Sequence, residues 1–329
     1  MIRQALRFIK RESLKLFKIL SGCTILYKTD WYKSFFVDIK HETYPDNTWY
    51  RNHDERNFDV INLGSSGGKW AFDYTDLGIK GMNWAQQPQT LLEDFNLLRH
   101  YHSILRKGGY VLITIMPFTG LNKQTGIRDA MMYLKIDTQC EPIQPYMYKE
   151  ARRYAEYPIL FKKPAVKALL RFLLGKDKLI VDNKPNMECN PMSESELRQD
   201  AARWMSGWKR QFTIDDFEAP LTERNHKGRE YRIGLMRQLI DFCIERDYQP
   251  VYVIPPVTEF LANKFTPKFR DIYIYDFLKQ VDREIPLLDY SKDATLKDKD
   301  FYFNSFFMNL RGRKLFTRRV LKDLGLIND

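Results

Sequence analysis

Three largely apolar runs, separated by amphipathic stretches, dominate the pattern of hydrophobic and polar positions along the chain. They cover residues 59–63, 110–116 and 251–254, and each ends at Gly, Ser or Pro residues that break regular structure. Short apolar runs rich in β-branched side chains and bounded by such residues are typical of strands buried on both faces of a parallel sheet. The pattern therefore predicts three buried strands that lie next to each other in the core.

Helical patterns fill the intervals between these strands. Thr90 and Glu93 form a capping box in front of a helix that we expect to end at Gly108. A further short strand is predicted at 286–290, and a closing helix at 313–324. Alternating strands and helices predict an α/β fold, a three-layer sandwich around a central, mainly parallel sheet with right-handed crossovers.

Residues 121 to about 225 interrupt this alternation and predict a mostly helical insertion. Pro164 and Gly175 bracket one helix, and Ser193 with Glu196 forms the capping box of another. The insertion follows a loop at the end of a strand, where such folds place lids and specificity elements. We therefore expect it to pack over the carboxyl ends of the strands.

The first twenty residues predict a basic amphipathic helix. Six basic residues face one acid, Glu12, and apolar residues recur at helical spacing. Charges interrupt every apolar run, so the segment resembles neither a secretory signal nor a spanning helix. It could lie on the inner face of an anionic membrane or cover a groove on its own domain. We predict that residues 1–57 form this helix and an irregular lead-in, and that 58–329 form the α/β domain.

Composition and charge narrow the classes of partner. The chain has 329 residues and a net charge of +11, but beyond the first twenty residues its basic and acidic residues are interspersed. This distribution argues against nucleic acid as a partner. The four cysteines are scattered without paired spacing, which favours reduced thiols, a cytoplasmic location and no zinc site. We predict neither a metal nor a cofactor.

The turn that follows the first strand is the first candidate site, because ligands of open α/β sheets bind at the carboxyl ends of strands. Its sequence is Gly-Ser-Ser-Gly-Gly-Lys, residues 64–69. The spacing between Gly64 and Lys69 is one residue too short for a phosphate-binding loop, and a dinucleotide-binding glycine motif is absent. Two interpretations remain: a serine nucleophile raised on a strand-end turn, or a plain turn rich in Gly and Ser for steric reasons.

Three blocks, in their order along the chain, resemble the SGNH/GDSL hydrolase superfamily, in particular the branch associated with bacterial surface polysaccharides. They are Gly64-Ser65-Ser66 after the first strand, the strand that ends at Pro255-Pro256, and the segment 304–312 before the last helix. The resemblance implies an SGNH/flavodoxin-like sheet with Ser66 at the nucleophile position. It also leads us to expect substrate contacts from five positions: Gly64, Ser65, Gly67, Asn83 and Asn309.

The last block departs from the family pattern. Asn304 and Phe307 stand where the family has its catalytic Asp and His. A serine hydroxyl is a poor nucleophile without a base, and neither of these side chains takes a proton near neutral pH. The resemblance therefore implies an inactive catalytic pair, with the ring of Phe307 packed against Ser66. The five histidines that remain as bases are His41, His53, His100, His102 and His226, with Asp289 or Asp293 to orient one of them.

Three functional hypotheses follow from these residues. The first is a degenerate SGNH-like protein that binds a glycan or an acylated small molecule in the biosynthesis of bacterial surface polysaccharide. The second is an active serine esterase, deacetylase or O-acyltransferase that uses Ser66 and a non-standard base. The third is a protein that binds an anionic membrane surface through residues 1–20 and is peripheral on the inner face of the membrane.

Overall fold

The computed structural model describes residues 9, 11–16, 23–26, 28–29, 56–86, 89–121, 163–176 and 187–328. The chain divides into two compact units. One unit consists of Met1–His41 with Gly126–Asp182, and the other of Glu42–Thr125 with Asn183–Asp329. The predicted domain boundary near residue 57 stays a prediction, because residues 30–55 lie outside the described part of the chain.

The larger unit is an α/β structure around a five-stranded parallel sheet. The strands are β1 (Phe58–Leu63), β2 (Gly81–Asn83), β3 (Leu105–Thr114), β4 (Gln249–Ile254) and β5 (Leu287–Asp289), in the order β2-β1-β3-β4-β5. The three strands predicted to be central are adjacent, as expected. Val111 is the Cα partner of both Ile61 and Pro250, so β3 is paired on both edges.

The helices occupy the intervals between the strands, and most of them match the sequence pattern. They are α1 (Cys23–Leu26), α2 (Ser66–Lys69), α3 (Leu91–Tyr101), α4 (Lys163–Leu173), α5 (Glu194–Phe212), α6 (Glu223–Ile244), α7 (Glu259–Ala262), α8 (Pro267–Arg270), α9 (Asp276–Val281) and α10 (Leu310–Asp323). Short 3₁₀ turns follow α3 and precede α10, and one π turn, Asp271–Tyr275, joins α8 to α9. Both predicted capping boxes, at Thr90 and at Ser193, are present.

The predicted end of the helix at Gly108 is wrong. Helix α3 ends at Tyr101, and β3 already begins at Leu105. Gly108 has φ +70° and its N–H donates to the carbonyl of Asp247 at 2.7 Å, so its left-handed backbone serves an irregularity within the strand. The register against β1 jumps there, since Phe58 pairs with Leu105 but Val60 with Tyr110. A glycine that predicts a helix end can equally form a β-bulge.

Helix α10 packs on one face of the sheet. Phe316, Val320 and Leu321 of this helix join Val60, Leu112, Val251 and Val253 of the strands in one buried apolar cluster. Helix α6 contacts β4, α3 and α9. A second buried cluster, rich in aromatic rings, connects α5, the loop after β3 and the segment 257–273. This aromatic cluster lies beside the loops that follow the strands and forms part of the site described below.

The described part of the smaller unit is helical. Residues 11–16 are helical, and α1 contacts α4. Leu26 of α1 is buried against Ala165 and Ala168 of α4, which attaches these distant segments of the chain to each other. Within the described ranges, no helix combines the length and apolar character needed to cross a bilayer.

Candidate functional site

The turn after β1 lies tightly against the end of β3, and its glycines make this approach feasible. Gly64 has φ +136°, and a Cβ there would also meet the Thr114 side chain at 2.9 Å. A Cβ on Gly67 would lie 2.5 Å from the sulfur of Met116. The sequence of the turn is therefore fixed in part by sterics, as the interpretation of a plain turn requires. Ser66 begins the single turn of α2, and its side chain is half-buried.

A cavity of about 270 Å³ opens beside this turn. It lies at the carboxyl ends of β1 and β3, where Gly64–Gly67 meet the loop that follows Thr114, and α5 closes one side. Ser66 is one of its polar lining residues, together with Ser65, Gln89, Thr90, Asp94, Thr114, Thr119, Gln211 and Arg232. Aromatic rings form the opposite wall: Phe118, Trp204, Trp208, Phe212 and Phe306.

A buried carboxyl group, Asp94, forms the polar centre of the cavity. Its Oδ1 accepts hydrogen bonds from the N–H of Gly64 at 2.8 Å and from the amide of Gln89 at 2.5 Å. Burial raises the pKa of Asp94 to about 7, although these hydrogen bonds and the charge of Arg232 oppose the rise. Burial also raises the pKa of the neighbouring Glu93. A group that titrates near neutrality therefore lies in the same cavity as Ser66.

Some buried polar atoms of the lining residues have no hydrogen-bond partner among the described residues. They include Oε1 of Gln89 and Oγ1 of Thr114, and both side chains are only 4% exposed. Trp204 Nε1, on the opposite wall, is also buried without a hydrogen bond within the described ranges. Buried polar atoms in proteins are normally paired, so unpaired ones along a cavity suit a ligand that carries hydroxyl or amide groups.

Helix α5 provides the aromatic wall and is attached to the loop before α10. Asp200 of α5 is buried, and its Oδ2 accepts hydrogen bonds from both the N–H and the hydroxyl of Ser305, at 3.0 and 2.5 Å. The ring centroids of Trp204 and Phe306 are 4.9 Å apart. Helix α5 of the predicted insertion lines the cavity at the ends of the strands, whereas α4 of the same insertion belongs to the smaller unit. That the insertion as a whole covers the ends of the strands stays a prediction. The parts of the insertion at 122–162 and 177–186 lie outside the described residues.

The two positions that the resemblance assigns to a catalytic pair, Asn304 and Phe307, do not line the cavity. Oδ1 of Asn304 accepts hydrogen bonds from the N–H groups of Phe306 and Phe307, at 2.8 and 2.7 Å, which closes a tight turn. Phe307 packs on Phe303, Phe306 and Trp204 within the aromatic cluster. The turn therefore presents Phe306 to the cavity, the position where Phe307 was expected.

Of the expected substrate contacts, Gly64, Ser65 and Gly67 line the cavity, whereas Asn83 and Asn309 are engaged elsewhere. Asn83 Nδ2 donates to the carbonyls of Lys69 and Phe72, and its Oδ1 accepts from Asn62. Asn309 caps α10: its Oδ1 accepts from the N–H of Gly312 at 3.0 Å and its Nδ2 donates to the carbonyl of Asp300 at 2.8 Å. Both amides hold loops in place.

The described imidazoles do not line the cavity of Ser66. His102 is hydrogen-bonded to the hydroxyl of Tyr248 at 3.1 Å, and burial lowers its pKa. His100 packs edge-on against Tyr101, and His226 is exposed on α6. None of the three is part of the cavity lining. His41 and His53 lie outside the described residues.

The two carboxylates considered as orienting groups also have other partners. Asp289 accepts a hydrogen bond from the hydroxyl of Tyr275 at 2.6 Å, and Asp293 caps a 3₁₀ turn through Thr295. The described residues also contain no group of three or more His, Cys, Asp or Glu side chains that could hold a metal ion.

Sequence reasoning missed Asp94, Gln89 and Arg232 as site residues. Asp94 had a usable signal, because it stands in the first turn of a helix that follows a strand end, the edge of the sheet where ligands bind. Arg232 lies within α6, far along the chain, and gave no signal.

The comparison with protein-family models gave no match, and neither did the comparison with curated proteins.

Proposed function

We propose that this chain is an SGNH-hydrolase-like protein with a three-layer α/β architecture that binds a glycan or an acylated small molecule beside Ser66 without efficient hydrolysis. The strand order supports the fold assignment. Along the chain, β1 is followed by β2 on one side of it and then by β3 on its other side, so the strand order reverses between β1 and β3. In open α/β sheets the ligand site lies at the carboxyl ends of the strands at such a switch point. The cavity occupies the same position.

One observation carries the proposal: Ser66 lies in a cavity whose lining, among the described residues, includes an aromatic wall and buried polar groups but no imidazole. A serine hydroxyl without a base keeps only a small part of the usual acceleration, and loss of the base costs about six orders of magnitude in rate. Binding needs shape and hydrogen bonds but no proton transfer. An apolar face with a few placed polar groups is the usual composition of a small-molecule site.

The ligand class follows from the two walls. Indole rings such as those of Trp204 and Trp208 offer flat apolar surfaces, while Gln89, Asp94 and Gln211 offer amide and carboxyl groups. A sugar ring has both an apolar face and a hydroxyl rim, so it suits this combination. The cavity volume of about 270 Å³ lies just below the range of about 300–1,000 Å³ for ligand sites, which favours a single small unit. We place the protein in the biosynthesis or modification of bacterial surface polysaccharide on this basis and on the resemblance.

Two measurements on the full chain test the proposal. Hydrolysis of a simple acetyl ester and labelling by an active-serine probe should both be near background. Tryptophan fluorescence should report binding from a panel of acetylated and free sugars, because Trp204 and Trp208 form the wall. We expect Ser66→Ala to leave affinity nearly unchanged and Trp204→Ala to weaken it at least tenfold, with Ser206→Ala, on the same helix, as the control. Ester turnover at ordinary enzyme rates that Ser66→Ala abolishes would refute the proposal.

Asp94 favours a second candidate, an active serine esterase, deacetylase or O-acyltransferase. Its carboxyl lines the cavity of Ser66, and its pKa near neutrality suits a general base. In that case turnover should rise as Asp94 loses its proton, with an inflection near pH 7. Asp94→Asn would remove the activity together with the inflection. Activity that survives Asp94→Asn would exclude this candidate.

A third candidate is a peripheral membrane protein at the inner face of the membrane. It is supported by the helical residues 11–16, where Leu14 and Leu16 are exposed next to the basic side chains of Arg11 and Lys15. Basic and apolar groups side by side suit an anionic bilayer surface. Vesicle pelleting of the full chain and of a chain without residues 1–20 tests it, and equal binding by both would count against this segment.

A further inference from the structure

Helix α4, far from the N-terminus in sequence, has a large apolar surface exposed to solvent. Four side chains at helical spacing are between 40% and 67% exposed: Val166, Leu170, Leu173 and Leu174. Their spacing of four, three and one residues places them on one side of the helix. Isolated exposed apolar residues are ordinary, but a contiguous stripe of this kind indicates an interaction site.

The opposite side of α4 is already used within its own unit. Ala165 and Ala168 are buried against Leu26 of α1, and Leu169 packs at the margin of the same cluster. The helix is therefore held by one face, and the stripe that contains Leu170 lies on the other. Its end is defined as well. Gly175 has φ +64°, and the N–H of Lys176 donates to the carbonyl of Arg171 at 2.8 Å, which is the Schellman arrangement.

Within the described stretch 163–176, the charged side chains beside the stripe are all positive. Lys167, Arg171 and Lys176 are exposed, and the stretch 163–176 contains no acidic residue. Lysine and arginine side chains next to an apolar stripe can extend to a negatively charged surface while the apolar groups enter a less polar layer. An acidic protein surface would satisfy the charges but not the leucines. An anionic bilayer satisfies both.

We propose that α4 is a membrane-docking helix that inserts Leu170, Leu173 and Leu174 into the interface of an anionic bilayer. The inference rests on the membrane-surface candidate above and deepens it by assigning a second element, which shares a compact unit with the N-terminal segment. The two segments offer two weak attachments on one unit. Stable but reversible association usually requires two such signals.

Vesicle partition of the full chain tests the role of α4. Vesicles of phosphatidylcholine with phosphatidylglycerol are compared with pure phosphatidylcholine vesicles at low and high salt. Lys167→Glu with Arg171→Glu should weaken partition to the anionic vesicles about 30-fold or more. Leu170→Glu with Leu174→Glu should weaken it by about tenfold or more, since each change removes an inserted leucine. The affected side chains are exposed, so far-UV circular dichroism should be unchanged.

Matched controls lie in the larger unit. Ile244→Glu replaces an apolar side chain of the same exposure as Leu170, 55%, and Lys264→Glu with Lys268→Glu makes the same change in net charge as the basic pair. Both controls should keep wild-type partition. Partition by the α4 variants equal to that of the controls overturns the inference.

Deletion of residues 1–20 separates this inference from the candidate on which it rests. If the chain without residues 1–20 still binds the vesicles, and the substitutions in α4 then abolish this remaining binding, the result supports both the membrane candidate and the role of α4. If the full wild-type chain does not bind anionic vesicles at all, the membrane candidate itself fails. The chain could instead self-associate without binding vesicles, and Leu170→Glu with Leu174→Glu could abolish that self-association. This result would assign the stripe to a second copy of the chain and overturn the inference.

Discussion

Replacement of Asp94 by Asn should flatten the dependence of stability on pH between about pH 4 and pH 7. The native carboxyl is buried and its pKa lies at about 7, above its ordinary value of 3.8. The folded state therefore holds this proton across an interval in which the unfolded chain has released it. The stabilisation is complete below the ordinary pKa and is lost as the pH rises through about 7. Asparagine keeps the acceptor oxygen that the N–H of Gly64 needs but has no proton to lose.

The magnitude follows from the width of that interval. Each pH unit within it changes the free energy of unfolding by about 1.4 kcal/mol, so wild type should lose about 2 to 3 kcal/mol relative to the Asn variant between pH 5 and pH 7. The other carboxyls, including the neighbouring Glu93, are present in both proteins and largely cancel in the difference. Solvent screening is small because Asp94 is only 5% exposed.

Urea unfolding at a series of pH values, followed by tryptophan fluorescence, measures this difference. Asp215→Asn, at an exposed position of the same unit, is the control and should follow wild type at every pH. Parallel stability curves for wild type and Asp94→Asn would refute the reasoning, because they would mean that the carboxyl titrates alike in the folded and unfolded chain. A curve for the variant that is steeper than that of wild type would refute it as well.

Two further predictions concern stability and use the same urea assay. Gly312→Ala should lower the free energy of unfolding by about 3 kcal/mol or more, because the new Cβ would lie 2.0 Å from the backbone carbonyl oxygen of Phe301. Gly234→Ala should raise it by about 0.5–1 kcal/mol, because the space around that helical position is open. Equal effects at both glycines would exclude the steric reason. Asp200→Ala should cost about 2–4 kcal/mol, since it leaves two buried donors of Ser305 without their acceptor. A loss below about 0.5 kcal/mol would mean that this contact does not hold the aromatic wall.

The sheet was predictable because its signals are local. Apolar runs, capping boxes and breaking residues gave the three central strands, their adjacency and most helices, since each pattern lies within one stretch of chain. The start of β3 was not predictable, because a glycine such as Gly108 occurs both at the ends of helices and in β-bulges. Only the pairing of Phe58 with Leu105 distinguishes the two.

The candidate site was predictable only in part. The turn at Gly64–Gly67 follows directly from the sequence, and it does line the cavity. The alignment with the family block placed Phe307 at the catalytic position, whereas the turn closed by Asn304 presents Phe306. A shift of one residue in a loop depends on local hydrogen bonds, and a sequence motif does not specify those hydrogen bonds. Arg232 enters the cavity through tertiary packing alone.

The order of the strands also bears on how this chain emerges from a ribosome. β3 ends at Thr114 and its neighbour β4 begins at Gln249, so 134 residues, 115 to 248, are synthesised between two adjacent strands. At synthesis rates of about 5–20 residues per second, that interval lasts roughly 7 to 27 seconds. During this time the apolar edge of β3 has no β4 to pair with, and an unpaired apolar edge is a template for aggregation. The nascent chain should therefore depend on a chaperone, or on the emerging insertion, until Gln249–Ile254 has left the exit tunnel.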